Sequence, residues 1–105
     1  MLPNKEEGND LLDYYGILLT SHQKNILNDY YALDYTMQEI ADNHSISKSA
    51  VFDILSRSMN QLIEYENKLN LLKQAKMLDD LLNMMENDNT VDKKYIEQLK
   101  NIYRG

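Results

Sequence analysis

Between Ile17 and Arg104 the chain contains neither glycine nor proline. These two residues interrupt regular backbone most reliably, and here they stand only at Pro3, Gly8, Gly16 and Gly105. Through the uninterrupted stretch, apolar residues recur at spacings of three and four. β-Branched residues are sparse, and no clean period-two run occurs. That pattern belongs to amphipathic helices and predicts an all-α fold. Without strong breakers, the helix boundaries must come from capping residues.

The spacing predicts a first helix from about Asn9 to Leu19, with Leu11, Leu12, Tyr15, Leu18 and Leu19 on one face. Thr20-Ser21-His22-Gln23 fits a capping box, Thr at the N-cap and Gln three residues on. It opens a second helix that carries Ile26, Leu27, Tyr30 and Tyr31 to about Ala32. A second box, Thr36-Met37-Gln38-Glu39, opens a short helix with Met37, Ile40 and Ala41 turned inward. Ile46 then sits in a turn, and Ser47 can cap the next helix. From Lys48 no obvious stop occurs before Asn87-Asp88-Asn89. An unbroken fourth helix would hold roughly 39 residues and reach about 58 Å. Thr90 can cap a last helix with Val91, Tyr95, Ile96, Leu99, Ile102 and Tyr103. Five helices are expected. The division expected is a flexible N-terminus over 1–9, a head over 10–56, and a helical arm over 57–105 continuous with the fourth helix.

Composition narrows the function classes. With no cysteine, disulfides, thiolate metal sites and cysteine nucleophiles are excluded, as suits a reducing cytoplasm. Apolar runs such as Ile17-Leu18-Leu19 fall far short of a membrane span. Glu6, Glu7 and Asp10 stand where a signal peptide would need basic residues. The formal net charge of −6 opposes casual nucleic-acid binding, which usually relies on a positive field. The charge is uneven, however. Residues 1–45 carry 2 basic and 8 acidic residues, residues 46–76 carry 5 and 3, and residues 77–105 carry 4 and 6. Only the middle segment is positive.

That segment opens with the most informative motif. Tyr35 to Leu55 has the logic of a helix-turn-helix: a short capped helix with the small Ala41, a turn burying Ile46, and a helix packing Val51, Ile54 and Leu55 inward. In a DNA reader the N-terminal residues of the second helix enter the major groove. Here those are Lys48, Ser49 and Phe52. Ser47 and the helix N-terminus are placed to meet a phosphate, and Arg57 to touch the backbone. The alternative is a stable helix pair that packs a core or a partner, since Asp53 on the same helix repels phosphate.

Leu11-Leu12-Asp13-Tyr14-Tyr15, Leu18 to Gln23, Tyr30-Tyr31, Asp34 to Ala41, Ile46 to Asp53 and Tyr65 to Leu72 resemble the small YlxM-type family, over about residues 10 to 86. The resemblance implies a head similar to region 4 of sigma factors. It also implies an accessory or regulatory role in the signal recognition particle pathway, because genes of this family neighbour those of the targeting GTPases. The implied partners are protein components of that pathway, with RNA or DNA less supported. The chain departs from the family pattern where it matters for reading bases. Ser47-Lys48-Ser49 replaces a typical Ser-Arg-Gln, and Ser56-Arg57 replaces a basic pair. Lys48 lacks the bidentate fork of Arg, and Ser49 cannot grip adenine as Gln can.

Other constellations are weaker. His22 and His44 have no partner at metal-ligand spacing, so no metal is expected. Nothing resembles a phosphate loop or nucleophile elbow, so neither a cofactor nor enzyme activity is expected. Eight tyrosines against one phenylalanine suit either core-edge rings with solvated hydroxyls or a partner surface. For the second case Tyr14 and Tyr31 are the candidates. Leu69, Leu72 and Met85, with the methionines between Met59 and Met85, suit adaptable core or self-association of the C-terminal helices.

Overall fold

The computed structural model describes residues 2–104, which form two compact units, residues 2–72 and 73–104. The described residues are helical with no strand, six α-helices and one 3-10 turn in order. The all-α expectation holds.

In the first unit, α1 spans Lys5–Tyr15. It starts earlier than expected because Asn4 caps it, its side chain accepting the Glu7 N–H at 2.8 Å. Glu6 and Glu7 then sit in the first turn, where negative charge favours the helix dipole. A flexible tail over 1–9 is therefore corrected: residues 5–9 are helical. The 3-10 turn Gly16–Leu18 comes next, leaving Leu18 exposed and Leu19 buried. Both predicted capping boxes form. Thr20 opens α2, Ser21–Tyr31, and Thr36 opens α3, Met37–His44. Ser47 caps α4, Lys48–Leu69, accepting the Ala50 N–H at 3.0 Å. Val51, Leu55, Met59 and Leu62 of α4 form the spine of the core. Leu11, Leu12 and Tyr15 of α1, Ile26, Leu27 and Tyr31 of α2, and Ile40 and Ala41 of α3 complete it.

The expected long fourth helix does not form. It breaks at Asn70, which adopts a left-handed conformation (φ 55°, ψ 26°) that Asn tolerates better than most residues. A new helix, α5, Leu71–Glu86, starts at once. The break is held by half-buried polar contacts. The Tyr15 hydroxyl donates to Glu66 Oε1 at 2.6 Å and accepts the Leu71 N–H at 3.1 Å. The same Glu66 oxygen accepts the Leu72 N–H at 3.0 Å. Two backbone donors at the start of α5, which helix geometry leaves without partners, are thereby satisfied from outside the helix. Burial, and then the bond to Glu66, push the Tyr15 hydroxyl pKa up, so it stays a proton donor.

In the second unit, Ala75 and Leu82 of α5 and Ile96 of α6, Lys93–Arg104, are buried. Lys100 pairs with Glu86. Thr90 does not cap α6 as expected. Its N–H and hydroxyl bond Asp88 at 2.9 and 2.7 Å, which lowers the Asp88 pKa. The α6 cap is Asp92, which accepts the Lys94 N–H at 3.0 Å. Val91 therefore lies outside the helix, and the Tyr103 side chain lies outside the described residues.

Gly8 is a helix-interior glycine with a packing reason. A Cβ there would stand 2.0 Å from Cε1 of the Tyr31 ring. Gly8→Ala should gain about 1 kcal/mol of helix propensity yet lose about 1–3 kcal/mol to overpacking. The expected outcome is a lower urea midpoint at unchanged slope.

Candidate interaction site on the helix-turn-helix

The turn between α3 and α4 is built from local chemistry. Ser45 ends α3 in a left-handed conformation (φ 57°, ψ 42°), and the N–H groups of Ser45 and Ile46 both return to the Ala41 carbonyl. Ile46 is half-buried against the core. His44, the last residue of α3, ties to α2 through Nε2 and Asp29 Oδ2 at 2.9 Å. Its ring also meets His22 edge-on, centroids 5.9 Å apart. Sequence spacing gave no hint of that meeting. Among the described residues no group of three or more His, Cys, Asp or Glu could hold a metal ion.

The first turns of α4 carry the expected tip residues outward. Ser47, Lys48 and Ser49 are exposed, and Phe52 is 49% exposed. The Ser47 hydroxyl is occupied by its cap and lies 3.1 Å from the Ser49 hydroxyl. Lys48 makes no ion pair among the described residues and lines a depression of about 500 Å³ with Lys5, Tyr35, Met37 and Gln38. Arg57 is exposed, but its Nε lies 3.0 Å from Asp53 Oδ1 one turn earlier. Such an exposed pair contributes at most about 1 kcal/mol. Its consequence here is electrostatic, since Asp53 cancels one of the two cations on the face.

The second set of expected residues is divided between the two units, Tyr14, Tyr31, Leu69 and Leu72 in the first and Met85 in the second. Tyr14 is 40% exposed and Leu69 is exposed, whereas Leu72 is half-buried against the core and Met85 is half-buried. Tyr31 is a correction: it is buried, 3% exposed, and cannot line a contact surface. Its hydroxyl donates to the Pro3 carbonyl at 3.0 Å. Burial, with Tyr30 beside it, pushes its pKa up to about 12. Tyr30 is the half-buried member of that pair, and the Lys5 ammonium lies 3.5 Å from its ring centre. Sequence reasoning missed Lys5 and Tyr35 at the depression. Tyr35 was legible, because the Thr36 box leaves the preceding residue outside the helix. Lys5 needed the earlier start of α1.

Residues 3–102 match the family model described as "UPF0122: Putative helix-turn-helix protein, YlxM / p13 like". The chain belongs to this family. It is 46% identical over 70 residues to a UPF0122 protein of Clostridium kluyveri, covering 67% of this chain and 63% of that relative's length. It is 38% identical over 97 residues to one of Staphylococcus epidermidis, covering 90% and 88%. It is also 38% identical over 101 residues to the UPF0122 protein lin1916 of Listeria innocua, covering 90% and 92%. The resemblance to the YlxM-type family read from the motifs is thereby shown. Among the described residues no helix of this UPF0122 chain is long and apolar enough to cross a membrane.

If Asp53 sets the weak field of this face, Asp53→Asn should free Arg57 and raise affinity for duplex DNA several-fold at low salt. The slope of log K against log salt should steepen by about one ion. Fluorescence anisotropy with a labelled duplex across a salt series checks this.

Proposed function

We propose that this UPF0122 protein is a non-catalytic accessory or regulatory factor of the cytoplasm that works by docking on protein. Its partner would belong to the signal recognition particle pathway, as the family resemblance implies. The observation that carries the reading is the tip of α4, where a DNA reader would present several Arg, Lys, Gln or Asn side chains. Here the tip offers a half-exposed Phe52, two serines, one unpaired lysine and an arginine already facing Asp53. Exposed aromatic surface with little net charge suits a protein interface, where aromatic side chains supply most of the binding energy. A formal net charge of −6 supports the same choice.

The second reading is a DNA-binding regulator using Ser47, Lys48, Ser49, Phe52 and Arg57. It is favoured by the helix-turn-helix geometry itself and by the exposure of those side chains. RNA contact through the same face would use the same charges.

The readings separate by mutation. Pull-down and calorimetry against the pathway's GTPases should show binding that Phe52→Ala weakens at least tenfold, about 1.4 kcal/mol or more. Lys48→Glu with Arg57→Glu should change that binding little. The protein-docking reading fails if neither GTPase binds. It also fails if Phe52→Ala is silent while the charge reversals abolish binding to duplex DNA or to the particle's RNA.

A further inference from the structure

A single residue joins α4 to α5. Leu69 ends one helix, Leu71 begins the next, and Asn70 between them is left-handed. The other non-glycine residues at positive φ among the described residues, Asp34 and Ser45, lie in connections of more than one residue. From Tyr65 to Glu86 the chain holds no Gly, no Pro and no β-branched residue, a composition that favours helix throughout. The Asn70 N–H donates to the Glu66 carbonyl at 2.8 Å, which is also the bond an uninterrupted helix makes at that position. Turning Asn70 alone to the right-handed region would therefore carry the helix on. The Leu71 and Leu72 N–H groups would then meet the Asn67 and Lys68 carbonyls. In the broken form those two donors go to Tyr15 and Glu66 instead.

We propose that residues 66–74 are a two-state joint, broken while Tyr15 and Glu66 hold the Leu71 and Leu72 N–H groups and continuous once that hold is lost. Each form gives the same two donors a partner, so neither leaves them orphaned. The broken form adds the bond between the Tyr15 hydroxyl and Glu66 and the packing of Leu72 against the core. The continuous form removes the cost of a left-handed residue. Two windings of one sequence that differ by so few contacts are a bistable element. Whatever engages Tyr15 or Glu66 shifts the balance between them. The joint thus links the end of α1 to the end of the helix whose first turns carry Lys48 and Phe52.

Nuclear magnetic resonance of the full chain reads the state of residue 70 directly. Wild-type protein should show the strong intraresidue contact between amide and α-proton that marks a positive φ. It should lack the contacts from the Lys68 and Leu69 α-protons to the Leu71 and Leu72 amides that mark a continuous helix. Tyr15→Phe leaves the Glu66 hold in place, so both anchors are removed together. In Tyr15→Phe, Glu66→Gln protein that also carries Asn70→Ala, the continuous-helix contacts should become the major set. That is a change of about tenfold or more in the ratio of the two forms. Asn70→Gly in the same double variant should restore the break, because glycine takes the left-handed region without steric cost. A positive φ that persists at residue 70 in the folded Ala variant overturns the proposal. So does loss of helical circular dichroism in that protein, because the continuous form must be a folded alternative. A Gly variant that stays continuous overturns it as well.

Discussion

The shape of the first unit depends on one half-buried polar contact, the Tyr15 hydroxyl against the Glu66 carboxylate. Residues on both sides of Asn70 favour helix, and neither Gly nor Pro is present to stop it. A left-handed residue there is a local cost that Asn reduces but does not remove. The offset comes from the pairing of the Leu71 and Leu72 N–H groups with Tyr15 and Glu66 at a half-buried site, where unmade hydrogen bonds are costly. Tyr15 also stacks on Tyr65, ring centres 6.2 Å apart. The same tyrosine thus anchors α1 to α4 and caps α5. α4 ends at Leu69 for reasons that lie far away in the chain, in the bond from Tyr15 at the end of α1 to Glu66, 51 residues on.

That distance explains how legible the sequence was. Capping boxes at Thr20 and Thr36, the Ser47 cap and the half-buried Ile46 are local signals, and all appear where the spacing places them. The break at Asn70 is a tertiary effect, invisible to periodicity because the apolar spacing runs through it. The early start of α1 had a local signal, Asn4 and then two glutamates within three residues, which the neighbouring Pro3 and Gly8 obscured. Gly8 reads as a breaker until the Tyr31 ring is seen against it. Of the candidate site, Lys48, Ser49 and Phe52 were legible as an outward face. The Asp53–Arg57 pair was legible as a spacing of four, and its effect on the field comes from Coulomb's law alone. The burial of Tyr31 was not legible, because either ring of the Tyr30-Tyr31 pair can satisfy the same helical face.

Family membership and fold leave the chemistry at the tip to decide function. A helix-turn-helix is a frame, and function resides in the side chains it carries. In this chain the frame is complete, while the face that reads bases in a DNA-binding helix-turn-helix offers one clear cation and an aromatic ring. The acidic balance of residues 1–45 adds a field unfavourable to phosphate. Both features favour a protein partner over a nucleic acid.

Tyr15 and Glu66 set the end of α4. This is tested most directly by hydrogen exchange at the Leu71 and Leu72 amides in Tyr15→Phe protein, with Tyr14→Phe as control. Tyr15→Phe should speed exchange at both amides and lower stability by about 1–3 kcal/mol, and Tyr14→Phe should do neither. Unchanged protection of both amides in Tyr15→Phe, at wild-type stability, would contradict it.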